Sequence, residues 1–376
     1  MLDEGLPPGT YYLSGNEAAV EGAIRAGCRY YAGYPITPSS EIMERVSARF
    51  RQVGGVFVQM EDEIASICSV IGASWAGAKA MTATSGPGFS LMQEGIGYAA
   101  MTETPLVIVD VQRAGPGTGQ ASRVGSGDVM QAKWGSHGDY QIIAISPWSV
   151  QETYDQTINA FNLAERYRVP VILLSDLAIG HLWERIDIPE KVDLFNRIKK
   201  PGAPPFGTEA DDGVPPMPSF GEGEKLLVTA STHDERGVRK SDDPQVQEKL
   251  VSRLNNKILK HRGEIVQSDH YYLQDAQVVV LCYGFTARSA LFAVQEMRHR
   301  GKKVGMVRFK TLWPFADQIA RQVGSTARAV FVPEMNQGQV AGEVMKYVTC
   351  DVAQYSQTNG EIITPQAIIG ELERLV

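Results

Sequence analysis

Leu106-Val107-Ile108-Val109 is an unbroken apolar run, and the stretch continues through Asp110 to Val111. A strand reads this way when it must hide both of its faces, as strands do inside a parallel sheet covered by helices on each side. The rest of the first half repeats the pattern. Short apolar stretches at 29–32, 56–59, 80–84, 142–145 and 169–174 alternate with helical spacing at 62–77, 89–102, 128–134 and 150–167. Such alternation predicts an α/β fold with a doubly wound parallel sheet. Ser14-Gly15-Asn16-Glu17 is a capping box opening a helix whose inward stripe is Val20, Ile24 and Cys28. Ile42, Val46 and Phe50 repeat that spacing, with Glu41 and Arg45 placed as an exposed i, i+4 pair.

The alternation stops near Ile188. Between 189 and 268 the chain is charged, polar and, over 201–222, rich in Pro and Gly, so it reads as an irregular linker or an arm packed on a neighbour. Alternation resumes with a strand at 277–283, a helix over 286–299, and strands at 303–308, 329–332 and 362–363. Three regions follow: an α/β domain over 1–188, an irregular arm over 189–268, and a smaller α/β domain over 269–376.

A chain of 376 residues has room for this division. Its net charge of −7 argues against a nucleic-acid surface. Met1 to Thr10 has no basic start and no apolar segment of an export signal, and no apolar run approaches the ~20 residues of a membrane helix. Cys28, Cys68, Cys282 and Cys350 are too scattered for a metal, cluster or redox motif, which fits reduced thiols in the cytoplasm.

Candidate chemistry sits at predicted strand ends, which in an open parallel sheet line one crevice. In Tyr34-Pro35-Ile36-Thr37-Pro38-Ser39-Ser40 the prolines keep the chain extended, Thr37 reads as the N-cap of the next helix and Pro38 as its first residue. Glu61-Asp62-Glu63 opens a helix, where carboxylates suit the dipole, and small residues from Ala65 to Ala73 leave room for a flat ligand or a second chain. The Thr84-Ser85-Gly86-Pro87-Gly88 turn offers free amides to an anion. Arg113 closes the central apolar run with a planar fork suited to a carboxylate. Taken singly, each also reads as a turn, a cap or a structural contact.

Together these motifs resemble the alpha subunits of 2-oxoacid:ferredoxin oxidoreductases. The YPITPSS segment, the acidic stretch around Glu63, the TSGPG turn and the Gln112 to Gly119 loop occur in the same order there. The stretches from Arg308 to Phe315 and from Glu334 to Gln339 resemble that family's second domain. The resemblance is nearest to the 2-oxoglutarate enzymes. It implies a pyrimidine-type thiamine diphosphate domain followed by a transketolase C-terminal-like domain. Glu63 matches the glutamate that hydrogen-bonds the aminopyrimidine, and Tyr34, Pro35, Ile36, Ser85 and Gly86 fall in turns beside the cofactor. Thr37 and Arg113 match residues that hold the 2-oxoacid. The chain has no Gly-Asp-Gly segment followed by Asn and no cluster-ligating cysteines. The resemblance therefore implies a beta subunit supplying Mg2+, the diphosphate site and a [4Fe-4S] cluster, with gamma-type and ferredoxin-like subunits, and coenzyme A and ferredoxin as co-substrates. No metal ligand is expected here. Arg123, Lys133 and His137 lie beyond the Arg113 loop as candidates for the distal carboxylate of 2-oxoglutarate, or as solvated surface groups. A branched-chain 2-oxoacid enzyme, a non-catalytic scaffold subunit and a transketolase-type half are the other readings.

Overall fold

The computed structural model describes residues 5–376; the first four residues of the stretch read for an export signal lie outside them. The first domain runs β1 (Gly9–Ser14), α1 (Gly15–Arg25), β2 (Cys28–Gly33), α2 (Ser40–Val53), β3 (Val56–Gln59), α3 (Glu63–Trp75), β4 (Lys79–Thr84), α4 (Gly86–Leu91), α5 (Gln93–Met101) and β5 (Leu106–Gln112). It continues through α6 (Val129–Trp134), β6 (Ile143–Ile145), α7 (Val150–Tyr167), β7 (Pro170–Asp176), α8 (Leu177–His181) and β8 (Trp183–Ile188). Within the arm lie α9 (Pro244–Leu259) and α10 (Arg262–Ile265), and at its end and beyond come β9 (Ser268–Tyr271), β10 (Val278–Cys282), α11 (Thr286–His299), β11 (Val304–Phe309) and β12 (Thr311–Trp313). The chain ends with α12 (Asp317–Thr326), β13 (Ala329–Glu334), α13 (Gln339–Val344), β14 (Asp351–Ser356) and α14 (Pro365–Leu375).

Seven strands form the first sheet in the order β12-β6-β7-β5-β4-β2-β3, parallel except for β12. All of β5 is buried. Its alternate residues enter different cores: Val107, Val109 and Val111 pack with the α1 and α7 side, while Leu106 and Ile108 pack with α3 and α5. The second sheet has the order β14-β13-β10-β11-β9, with only β9 antiparallel. The two sheets share an apolar core, in which Ile108 and Ile172 join Leu281, Val307 and Phe309. The segment from Arg308 to Phe315 crosses between them: β11 belongs to the second sheet, whereas Thr311 pairs with Ile145 at the edge of the first. A two-stranded sheet, β1 with β8, closes the first domain.

The capping box forms as expected, with Glu17 N–H donating to Ser14 Oγ at 3.2 Å and Ser14 N–H donating to Glu17 at 3.0 Å. Several expectations are corrected. Cys28 opens β2 rather than closing the stripe of α1. The helix expected over 89–102 breaks at Met92 into α4 and α5. Residues 362–363 form no strand; β14 does, and its half-exposed edge position needs no continuous apolar run. Arg45 does not pair with Glu41. It reaches Glu17 and Glu21 of α1, and Glu41 meets Asn16 and His181, because the polar face of α2 lies against a neighbouring helix.

The stretch over 189–268 is not wholly irregular, since α9 has 16 residues and buries Leu250, Leu254 and Ile258. Many charges hide that stripe in the sequence. The remainder packs on the chain's own first domain. Trp75 meets Phe206 and Phe220, and the buried Arg168 guanidinium donates to the carbonyls of Glu103, Pro205, Pro215 and Pro216. Helix α9 is fastened by Arg253 and Lys257, which pair with the fully buried Glu103 at 2.6 and 2.7 Å.

Candidate active site

The carboxyl ends of β2, β4 and β5 are neighbours in the first sheet, so the turns that follow them converge. Thr37 does not cap the helix as expected. The N-cap is Ser39, whose N–H and Oγ–H both donate to Ile36 O at 2.9 Å, and Ile42 N–H donates to Ser39 O at 3.1 Å. Asn16 Nδ2 donates to Pro38 O at 2.8 Å, and the Thr37–Pro38 peptide is cis. With the carbonyls of Ile36 and Pro38 committed to the turn, the helix begins two residues later than expected. Thr37, Tyr34 and Pro35 stay exposed and Ile36 half-buried.

Arg113 is 9% exposed at the end of β5. Its Nη1 donates to Thr37 O and its Nη2 to Thr118 O, each at 2.7 Å, so the guanidinium ties two of the turns together. Nε is buried without a partner among the described residues. A cavity of about 410 Å³ opens beside it, lined by Gly86, Arg113, Asp128, Gln131, Asn336 and Gln339 among others. The turn of Gly119 is one that glycine permits: φ is +51°, and a Cβ there would lie 1.8 Å from Ala114 O.

Glu63 stands in the first turn of α3, behind Asp62, whose side chain caps Ala65 N–H at 2.7 Å. It is 5% exposed, and burial raises its pKa. The carboxylate lies on the backbone of Gly88: a Cβ at that position would meet Glu63 Oε1 at 2.3 Å and Thr84 Oγ1 at 2.2 Å. Gly88 thus lets the carboxylate reach the turn after β4. Ser85 Oγ, fully buried in the same turn, has no partner. A buried carboxylate, an unpartnered hydroxyl and an unpartnered guanidinium N–H fit an aminopyrimidine ring with an acidic substrate beside it.

Thr37, Glu63, Ser85, Gly86 and Arg113 therefore gather at one strand-end cluster. Arg123, Lys133 and His137 do not line the Arg113 cavity. Arg123 pairs with Glu361 at 2.5 Å on the surface, Lys133 donates to Gln141 at 2.8 Å, and His137 lines a separate cavity with Tyr98 and Tyr140. Two carboxyls escaped the sequence reading. Asp110 is fully buried in β5 near Asp128, which covers Gly86; burial pushes Asp110 well up, with the charge of Asp128 adding to it, and pushes Asp128 to about 6. An acidic residue inside so apolar a strand was the available signal.

The chain thus joins a larger, mainly parallel sheet to a smaller α/β sheet, with a buried glutamate at a strand–helix turn of the first. A split-gene transketolase, an inactive beta4 tetramer, has this fold at 12% identity and a TM-score of 0.56, over 96% of this chain and 95% of its own. The family model described as "Pyruvate flavodoxin/ferredoxin oxidoreductase, thiamine diP-bdg" matches residues 21–253, and "Pyruvate:ferredoxin oxidoreductase core domain II" matches residues 276–368. The chain belongs to the pyruvate flavodoxin/ferredoxin oxidoreductase family. It is 51% identical to the 2-oxoglutarate synthase subunit KorA of Methanothermobacter marburgensis, over 96% of this chain and 98% of that protein. The ketoisovalerate oxidoreductase subunit VorB of the same organism is 36% identical, over 97% and 98%. Among solved structures, 2-oxoglutarate:ferredoxin oxidoreductase from Magnetococcus marinus, with 2-oxoglutarate, coenzyme A and succinyl-CoA bound, is 34% identical with a TM-score of 0.93. That match covers 97% of this chain and 65% of the solved one. Among the described residues no helix is long and apolar enough to cross a membrane.

Proposed function

We propose that this chain is the alpha subunit of a cytoplasmic 2-oxoglutarate:ferredoxin oxidoreductase, forming succinyl-CoA and CO2 from 2-oxoglutarate and coenzyme A with ferredoxin as electron acceptor, or running the reverse. The observation that carries this reading is Arg113, buried at the end of the central strand, bonded to the Thr37 turn, and facing a cavity with one N–H uncommitted. Glu63 would hold a proton against the aminopyrimidine nitrogen of thiamine diphosphate, while Tyr34, Pro35, Ile36, Ser85 and Gly86 border the ring. When bound, that cofactor supplies the electron sink for decarboxylation. Arg113 and Thr37 would orient the 2-oxoacid carboxylate, and burial strengthens the charge-assisted bonds that do so.

The diphosphate, Mg2+ and [4Fe-4S] ligands belong, on this reading, to a beta subunit facing the exposed Tyr34–Thr37 turn, within a complex that includes gamma-type and ferredoxin-like subunits. For Arg123, Lys133 or His137 to serve the distal carboxylate, Arg123 and Lys133 would have to leave Glu361 and Gln141. An unchanged preference in Arg123→Ala removes that residue. The test of the whole reading is the purified complex, assayed with 2-oxoglutarate, pyruvate and 2-oxoisovalerate, coenzyme A and oxidised ferredoxin. Succinyl-CoA formed in step with ferredoxin reduction is expected. Preferential turnover of 2-oxoisovalerate would make it a branched-chain enzyme, and no reaction with any 2-oxoacid would leave a scaffold.

A further inference from the structure

The Glu334–Gln339 turn, between β13 and α13, has no role in the chemistry above, yet its hydrogen bonds leave its own sheet. Asn336 Nδ2 donates to Ser126 O at 2.7 Å, and Ser126 N–H donates back to Met335 O at 3.1 Å. Gln339 bridges two further backbone groups, donating from Nε2 to Gly127 O at 2.6 Å and accepting at Oε1 from Met130 N–H at 2.8 Å. Trp313 Nε1 donates to Val129 O at 2.8 Å. Four of the five residues 126–130, all but Asp128, are thus bound by the second domain through their main chain.

The turn is itself rigid. Asn336 Oδ1 accepts from Gly338 and Gln339 N–H at 2.8 and 2.9 Å, and buried Glu334 accepts from Val340 N–H, Ala341 N–H and Tyr283 O–H at 2.8 to 2.9 Å. On the other side, the clamped segment continues directly into the Arg113 loop. Gly125 packs so closely that a Cβ there would lie 2.8 Å from Arg113 O and 2.9 Å from Ala114 Cα, while Arg123 O accepts from Ala114 N–H at 3.0 Å. Asp128 N–H donates to the side chain of Gln112, the residue before Arg113, at 3.1 Å.

We propose that Asn336 and Gln339 are positioning residues for the 2-oxoacid: they fix the 126–130 main chain, which fixes the Arg113 loop and the wall of its cavity. The proposal rests on Arg113 binding the substrate carboxylate. An arginine that grips the carboxylate alike in ground and transition states contributes to KM more than to kcat. In the assembled complex, Gln339→Ala should raise KM for 2-oxoglutarate about five- to tenfold, the equivalent of one to two net hydrogen bonds, with kcat within about twofold. Amide hydrogen exchange over 113–125 should rise in the same variant without substrate. Met297→Ala, which removes core packing in α11 but none of these bonds, should lower the unfolding temperature and leave KM alone.

Unchanged exchange over 113–125 overturns the clamp. So does a KM that rises equally in Gln339→Ala and Met297→Ala, which would be general loosening of the second domain. If exchange rises but KM does not, Arg113→Lys decides which claim has failed. A raised KM in Arg113→Lys overturns the positioning role alone, whereas an unchanged one overturns the assignment of Arg113 and with it this proposal.

Discussion

Glu63 and Asp128 are both carboxyl groups that the protein withdraws from water, and they should respond differently to neutralisation. Glu63→Gln keeps the shape against Gly88 but cannot give or take a proton, so turnover in the assembled complex should fall by about 10²- to 10⁴-fold with assembly intact. Near-normal turnover would end its catalytic role. Asp128 titrates at about 6 in the folded chain against an ordinary value of 3.8, because burial disfavours its charge by more than the neighbouring Arg113 favours it. A raised folded pKa contributes stability that is full below pH 3.8 and lost as the pH rises through about 6. Asp128→Asn should therefore gain on the native chain as the pH rises from about 4 to 7, by roughly 1–3 kcal/mol in all, read from thermal unfolding across that range. Parallel curves would show that the pair does not titrate there. Glu63 and Arg113 were legible in the sequence as residue types at strand ends. The Asp110–Asp128 contact was not, since 18 positions separate its members and only the return of the loop joins them.

At the scale of elements, β2, β4, β5, β7, α7 and α11 follow from local pattern, because each buries a continuous run or a clear helical stripe. Elements that depend on partners were missed. Helix α9 is short of apolar residues and is held by ions: Glu103 lies far below the usual carboxylate range because Lys257 and Arg253 stand beside it, outweighing its burial. Breaking such a pair strands a buried charge. Lys257→Met should destabilise the chain by about 3–5 kcal/mol, with α9 losing amide protection before the sheet. A loss below ~1 kcal/mol would mean that α9 is held by its apolar stripe instead. The Thr37 turn shows the same dependence, because Asn16 from another helix claims the Pro38 carbonyl and the N-cap falls at Ser39.

For the whole molecule, the strand-end cluster opens beside exposed Tyr34, Pro35 and Thr37, where the proposed complex would set a partner chain over the site. Isothermal titration of the chain alone with thiamine diphosphate and Mg2+ should give binding at least ~10²-fold weaker than that of the complex, because the charged diphosphate end would lack its ligands. Equal affinity would locate the whole cofactor site in this chain. The sequence by itself determined the alternating α/β plan, the buried central strand and the residues offered at its ends, because periodicity and turn chemistry are local. Only the tertiary structure decided how those ends are used: that Arg113 spends two donors on the carbonyls of Thr37 and Thr118, that Glu63 rests on Gly88, and that the second domain grips residues 126–130. These are contacts between segments distant in the chain, made through backbone groups that every residue carries, and so no residue pattern announces them.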